Sequence, residues 1–311
     1  MTTTIRERPS TPGKGDTPSE IPHRVLGKTG ERVPILGLGT ACGGMGLSDS
    51  DAVDLYDRAI DLGVTYLDTA TGYARAQKQL SEILPSRRDE VFLVTKAYTA
   101  DRKEAISILE QNLKDMKTDA VDLAFVHSVG SLDVEQVLSA DGALAGMREA
   151  RDRGLTRFIG FTAHNVTWKS VKVLQEAELD VVMLAMNYVD RHTYGFEDKA
   201  LPVAREKNVG VAAMKVFGGA PKMTYDKVTA SQMELHPTAG HEVDLSSAFR
   251  YALSLPGVAT AVVGMYSIAE LEENVDRARA FVPLTEAEEA ALTASGQPMA
   301  QDWGAHFGEA E

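Results

Sequence analysis

The sequence predicts an α/β protein folded as one domain, a (β/α)8 TIM barrel, and three observations carry that prediction. Eight short β-branched or aliphatic runs recur from residue 33 onward, segments of helical period separate them, and no linker interrupts residues 33–280. Alternating strands and helices argue for a parallel sheet, and eight such units argue for its closure. A length of 311 residues suits one such barrel.

Residues 1–22 are rich in Thr, Pro, Ser, Gly and charge and are expected to form a disordered tail. They contain no apolar segment of the secretory kind, and Glu7, Asp16 and Glu20 argue against an acid-poor mitochondrial presequence. The barrel is assigned to residues 23–283. It begins with HRVLGKTGERVP, in which a Gly-containing turn joins two extended runs, either as a hairpin closing the barrel's bottom or as a lead-in loop. The strand candidates are 33–39, 64–68, 91–96, 121–127, 157–162, 180–187, 209–215 and 258–264. Between them, DSDAVDLYDRAIDLG carries an apolar stripe of Val53, Tyr56, Ala59 and Ile60, and EAISILEQNLKDM one of Ile106, Leu109 and Leu113, both at helical spacing. Two stretches read as irregular: 217–242, and a C-terminal tail over 284–311.

Composition narrows the function. With 44% hydrophobic residues the chain can fill a large core, and no apolar run approaches the roughly 20 residues of a membrane helix. Forty-five acidic against 32 basic residues give a net charge of -13, which disfavours nucleic acid as a partner. Cys42 is the single cysteine, so no intrachain disulfide forms and a reducing cytoplasm is the expected setting.

Catalytic groups of such barrels sit where strands end on the C-terminal face. There the sequence puts Asp68, Lys96 and His127 at the ends of the second, third and fourth strands, with Tyr73 in the loop after the second. Taken singly, Asp68 reads as a turn former, Lys96 as a solvated strand end, His127 as a semi-buried imidazole and Tyr73 as packing. Together they describe a proton donor. A free phenol titrates near about 10, and a neighbouring ammonium favours its ionised form. Lys96 would supply that ammonium, Asp68 would hold Lys96, and His127 would orient a substrate oxygen.

In "LDTATGY", "VTK" and "LAFVH" the chain resembles the aldo-keto reductase family, with the family's order Asp, Tyr, Lys, His. "VLGKTGERVPILGLGT", "GLTRFIGFT" and "SIAELEENV" extend the resemblance over about residues 24–280. It implies a barrel that binds an extended nicotinamide cofactor without a Rossmann domain and reduces a carbonyl to an alcohol, or the reverse, with Tyr73 as general acid. It also implies that the C-terminal tail folds over or near the site, where Trp303, His306 and Phe307 either line the substrate pocket or pack on the barrel wall.

The cofactor contacts implied by the resemblance are Thr162, Asn165, Asn187, Met214, Lys215, Val216, Phe217, Gly264, Tyr266, Ser267, Glu270, Glu273 and Asn274. Several depart from the family pattern. Thr162-Ala163, then His164-Asn165, stand where relatives have Ser-Asn; Met183 stands at the usual Gln, leaving Asn187 to do its work; and Met214 replaces the aromatic residue that stacks on the nicotinamide. These changes mark a divergent subgroup with "MK" after the seventh strand. Its relatives sometimes carry C-terminal iron-sulfur motifs, which a chain with one cysteine does not have.

At the positions where family members hold a 2′-phosphate with Lys and Arg stand Gly264 and Glu270. That favours NAD(H) or dual use over NADP(H), although Glu270 also fits a capping box with Ser267. The alternative function is a cofactor-binding sensor or partner subunit without turnover. "GLGTAC" lacks the third glycine of a dinucleotide fingerprint, Cys42 has no base tied to it, and without an H-x-H or H-x-x-x-H pair no metal site is expected.

Overall fold

The computed structural model describes residues 20–218 and 244–311; most of the expected N-terminal tail and most of the 217–242 stretch lie outside them. Ten strands are present in the described residues: β1 His23–Val25, β2 Arg32–Pro34, β3 Leu36–Gly39, β4 Tyr66–Asp68, β5 Phe92–Ala97, β6 Val121–Val126, β7 Thr156–Ala163, β8 Val181–Ala185, β9 Gly210–Met214 and β10 Val258–Gly264. The last eight close a parallel barrel in the order β10-β3-β4-β5-β6-β7-β8-β9. Helices follow each of them, so the TIM barrel predicted from the alternation is the observed fold.

The run 33–39, read as one strand, is two. Arg32–Pro34 pairs antiparallel with His23–Val25, and only Leu36–Gly39 enters the barrel. The opening segment is therefore a hairpin, the first of the two readings. It lies against the barrel's N-terminal end: Arg24 donates to the carbonyls of Leu253 and Val258 at 2.7 and 2.8 Å, and Lys28 N donates to Asn208 O at 2.8 Å. Leu26 is fully buried there.

The helices form where the periodicity indicated, with adjusted faces. Helix Asp49–Asp61 starts at Ser48, whose hydroxyl accepts from Asp51 N, and buries Ala52, Leu55, Tyr56, Ala59 and Ile60, leaving Val53 half-exposed. Helix Arg102–Met116 starts at Asp101 and buries Ala105, Leu109, Asn112, Leu113 and Met116, with Ile106 half-buried. The C-terminal stretch read as irregular is largely one helix, Glu286–Trp303, opened by a capping box between Thr285 and Glu288. Gly296 and Pro298 inside it blurred the helical signal.

Gly27 shows how tightly the hairpin seats. Its φ is +52°, and a Cβ there would come within 2.2 Å of Gly210 N on β9. Gly27→Ala is expected to lower the unfolding free energy by roughly 2 kcal/mol or more, read as a lower urea midpoint at unchanged slope. An unchanged midpoint would show that the hairpin is not seated in this way.

Candidate active site

Four residues named from strand ends meet at the C-terminal mouth of the barrel. Asp68 is the last residue of β4, pairing across to Val94, and Lys96 stands near the end of β5, pairing across to Phe125. Lys96 Nζ lies 2.6 Å from Asp68 Oδ2, 3.0 Å from Thr69 O and 3.2 Å from the Tyr73 hydroxyl. Three ammonium protons thus have three acceptors. The same ammonium stands 4.7 Å from the Tyr73 ring centroid. His127 follows β6 directly, and the rings of Tyr73, Tyr98 and His164 surround it at centroid distances of 6.3, 6.2 and 6.0 Å.

Burial sets the electrostatics. It raises the Asp68 carboxyl above its ordinary value and lowers the Lys96 ammonium, while their mutual attraction opposes both shifts. Burial, reinforced by the charges of Lys96 and Lys215, holds His127 well below the usual imidazole range, so it is neutral at pH 7. His164, hydrogen-bonded through Nδ1 to Ser128 Oγ at 3.2 Å, is lowered in the same way.

A supporting layer had gone unnamed in the sequence. Asn112 donates to Thr95 Oγ1 and to Lys96 O, both at 3.1 Å, and accepts from Thr71 Oγ1 at 2.7 Å. It ties the loop that carries Tyr73 to the strand that carries Lys96. An Asn on the apolar stripe Leu109, Leu113, Met116 was the available signal. The glycine-rich segment after β3 abuts the same loop: a Cβ on Gly44 would stand 2.0 Å from Tyr73 O.

Beside the four lies a cleft lined by Gly39, Ala41, Asp68, Tyr73, Met183, Met214, Lys215, Val216, Phe217, Val262, Val263 and Gly264. Met214, Lys215, Val216, Phe217 and Gly264 are thus where a ligand beside Tyr73 would meet them. The other expected cofactor residues are placed differently. Thr162 Oγ1 accepts from Ser128 N at 2.9 Å. Asn165 is buried between Gly130 and Gly308, away from the cleft lining. Asn187 spends both amide hydrogens on Asp190 Oδ2 and Lys215 O and accepts from the amides of Val189 and Asp190, so its carboxamide is committed to the loop.

At the start of helix Ile268–Arg279, Ser267 Oγ accepts from Glu270 N, and Glu270 Oε2 accepts from Tyr266 N at 2.9 Å. This is the capping arrangement anticipated for Glu270, shifted by one residue. Tyr266 packs on Gly46 and hydrogen-bonds the Cys42 thiol, which burial pushes up to about 12, leaving no thiolate nucleophile. Glu273 pairs with Arg277 at 3.1 Å, and buried Asn274 accepts from the same guanidinium at 3.0 Å. Of the C-terminal aromatics, Phe307 packs on His164 and Tyr194 at 6.1 and 5.6 Å, and Trp303 packs on Gly218.

A parallel eight-stranded barrel with carboxylate, phenol, ammonium and imidazole converging on a cleft at its C-terminal face has these groups where barrel enzymes hold their active sites. The sequence pattern of the Aldo/keto reductase family matches residues 35–296, and the chain belongs to that family. It is 26% identical over 304 residues to the uncharacterised oxidoreductase YqkF of Bacillus subtilis (strain 168), covering 86% of this chain and 94% of that protein. It is 24% identical over 288 residues to the L-galactose dehydrogenase of Arabidopsis thaliana, covering 83% and 88%. The fold is shared with the aldo-keto reductase AKR11C1 of Bacillus halodurans in its holo form, with a TM-score of 0.70 at 22% identity over 89% of this chain and 96% of that one. Family members use NAD(P)(H), which makes this chain a nicotinamide-dependent oxidoreductase.

The two buried imidazoles impose a pH dependence. In the unfolded chain each takes up a proton near pH 6.5, whereas in the folded protein burial keeps both neutral to lower pH. At these two groups the unfolded state then binds more protons, and their contribution to stability is lost as pH drops below about 6.5, by up to about 1.4 kcal/mol per pH unit for each imidazole. Buried Glu197, raised by burial to about 8, gains its proton on folding and opposes this loss over the same range, so the imidazole contribution is read from His164→Gln, whose urea-unfolding free energy at pH 7.0, 6.0 and 5.0 is expected to fall less steeply with acid than that of the parent. The same pH slope in the variant and the parent would mean that the His164 imidazole ionises within the fold.

Proposed function

We propose that the protein reduces an aldehyde or ketone to an alcohol, or runs the reverse reaction, with Tyr73 as the proton donor. The observation that carries this reading is the Lys96 ammonium in hydrogen-bonding contact with both the Tyr73 hydroxyl and Asp68 Oδ2. As a carbonyl oxygen gains negative charge, Tyr73 delivers its proton to that oxygen, and the ammonium 3.2 Å away stabilises the charge left on the phenolic oxygen. Asp68 holds Lys96 in place. Neutral His127 serves as a hydrogen-bond donor that orients the carbonyl without presenting a competing charge.

The cleft chemistry fits a nicotinamide cofactor. Met183, Met214, Val262 and Phe217 offer apolar walls to a flat ring, and Lys215 stands among them for an anionic group. When bound there, the nicotinamide supplies the hydride to the carbonyl carbon. Tyr73→Phe is expected to keep cofactor affinity within about threefold and to lose carbonyl turnover by about 10²–10⁴-fold, because only the proton donor is removed. Unchanged turnover would remove Tyr73 from this role and leave a cofactor-binding protein that acts as a sensor or partner.

For the choice of nicotinamide we propose NAD(H) or dual use. Neither Gly264 nor Glu270 offers a cation to a 2′-phosphate, and Glu270 sits at the helix start with its carboxylate held by Tyr266 N. Backbone amides at that helix start remain suited to phosphate oxygens, which keeps dual use within the reading. Fluorescence titration with NADH and NADPH at equal salt is expected to give comparable affinities or a preference for NADH. An NADPH preference above about tenfold, about 1.4 kcal/mol, would overturn the charge argument.

A further inference from the structure

The C-terminal segment reaches the cleft through a chain of buried side chains. His306 Nε2 lies 2.7 Å from Asp190 Oδ1, and the two side chains are 5% and 1% exposed. Asp190 Oδ2 accepts from Asn187 Nδ2 at 2.6 Å, and the same amide nitrogen donates to Lys215 O at 3.0 Å. The orientation of the Asn187 amide is fixed, because its Oδ1 accepts from Val189 N and Asp190 N at 3.0 and 2.8 Å.

The end of this chain is a constrained point of the cleft wall. Lys215 lines the cleft with Asp68 and Tyr73, and its φ is +56°, a left-handed conformation that residues other than glycine keep only where their surroundings hold them. Its carbonyl is held twice, by Asn187 Nδ2 and by Gly218 N at 2.8 Å. The C-terminal segment touches the turn at its other end as well: Gly218 is packed so closely on Trp303 that a Cβ would stand 2.6 Å from the indole. Tyr194 seats the segment between these points, its hydroxyl accepting from Phe307 N at 2.7 Å and donating to Gly308 O at 3.2 Å.

We propose that His306 is a positioning residue for cofactor binding: through Asp190 and Asn187 it fixes the Lys215 carbonyl, and with it the cleft wall formed by Met214, Lys215, Val216 and Phe217. Without His306, one oxygen of a buried carboxylate loses its donor, and Asp190 is free to recruit the Asn187 amide away from Lys215. The inference rests on the reading that this cleft receives the nicotinamide.

The test is cofactor affinity by fluorescence titration of the full chain, with NADH and NADPH as probes, alongside kcat at saturating cofactor and the melting temperature. His306→Leu is expected to raise the cofactor Kd at least tenfold while changing kcat less than threefold. His306→Gln, which keeps a donor towards Asp190, is expected to restore the Kd to within about threefold of the parent. Because Asn187 lies on the same chain, Asn187→Ala combined with His306→Leu should weaken binding no further than the worse single change. If His306→Leu does not accumulate as folded protein, His306→Asn, too short to reach Asp190, is read in its place with the same expectation. A lowered melting temperature with an unchanged Kd would show a merely structural contact and overturn the proposal, as would additive effects of the two substitutions. The readout is binding, so a parent protein that binds nicotinamide but turns over no carbonyl sinks the catalytic reading while the Kd ratios still decide this one; a parent that binds neither probe overturns both.

Discussion

The buried contact between Lys96 and Asp68 is the constraint on which the site depends. Two opposite charges with side chains 1% and 4% exposed are costly to remove from water, and a pair of this kind persists only with close geometry and further hydrogen bonds. Both conditions are met by strand register. Adjacent parallel strands bring the end of β4 beside the end of β5, which puts the carboxylate and ammonium 2.6 Å apart, and the loop leaving β4 then supplies Thr69 O and the Tyr73 hydroxyl as the remaining acceptors. A slip of one residue would turn either side chain to the opposite face of the sheet and leave its partner buried alone. At the other end of the barrel Leu26 and Gly27 seat against Gly210.

Backbone strain is distributed in a way that matches this division. Six non-glycine residues have positive φ among the described residues: Ala74, Lys117, Ser128, Val166, Asn208 and Lys215. Lys117 and Asn208 follow helices, where a left-handed residue is an ordinary way to end a turn. The other four lie in loops that leave β4, β6, β7 and β9 on the C-terminal face. Three of them are tied to other parts of the chain: Ser128 N donates to Thr162 Oγ1, Val166 N donates to Glu309 O, and the Lys215 carbonyl accepts from Asn187. Strain held by a surrounding network at one face of a barrel is the pattern expected of a preorganised site.

The chain matches the family's pattern over residues 35–296, and two thioethers, Met183 and Met214, line its cleft. A charge pair and a proton donor need particular atoms at particular distances. A wall against a flat ring needs area and shape, which thioethers provide through a different side chain.

By itself the sequence determined the barrel, because strand and helix periods depend on neighbours two to four positions apart, and it determined the four residues of the charged cluster, because each sits at or just beyond the end of such a period. It also carried the family resemblance. The tertiary structure alone decided which donor meets which acceptor. Asn187, expected to face a cofactor, is committed to Asp190 and Lys215; Asn112, a polar residue on an apolar stripe, holds the Tyr73 loop to β5; Arg32–Pro34 leaves the barrel run to pair with His23–Val25; and residues 286–303 form a helix whose following segment brings His306 to Asp190. The longest of these pairings, His306 to Asp190, joins residues 116 positions apart. A hydrogen bond across such a separation is set by how the whole chain closes, and no local period in the sequence encodes it.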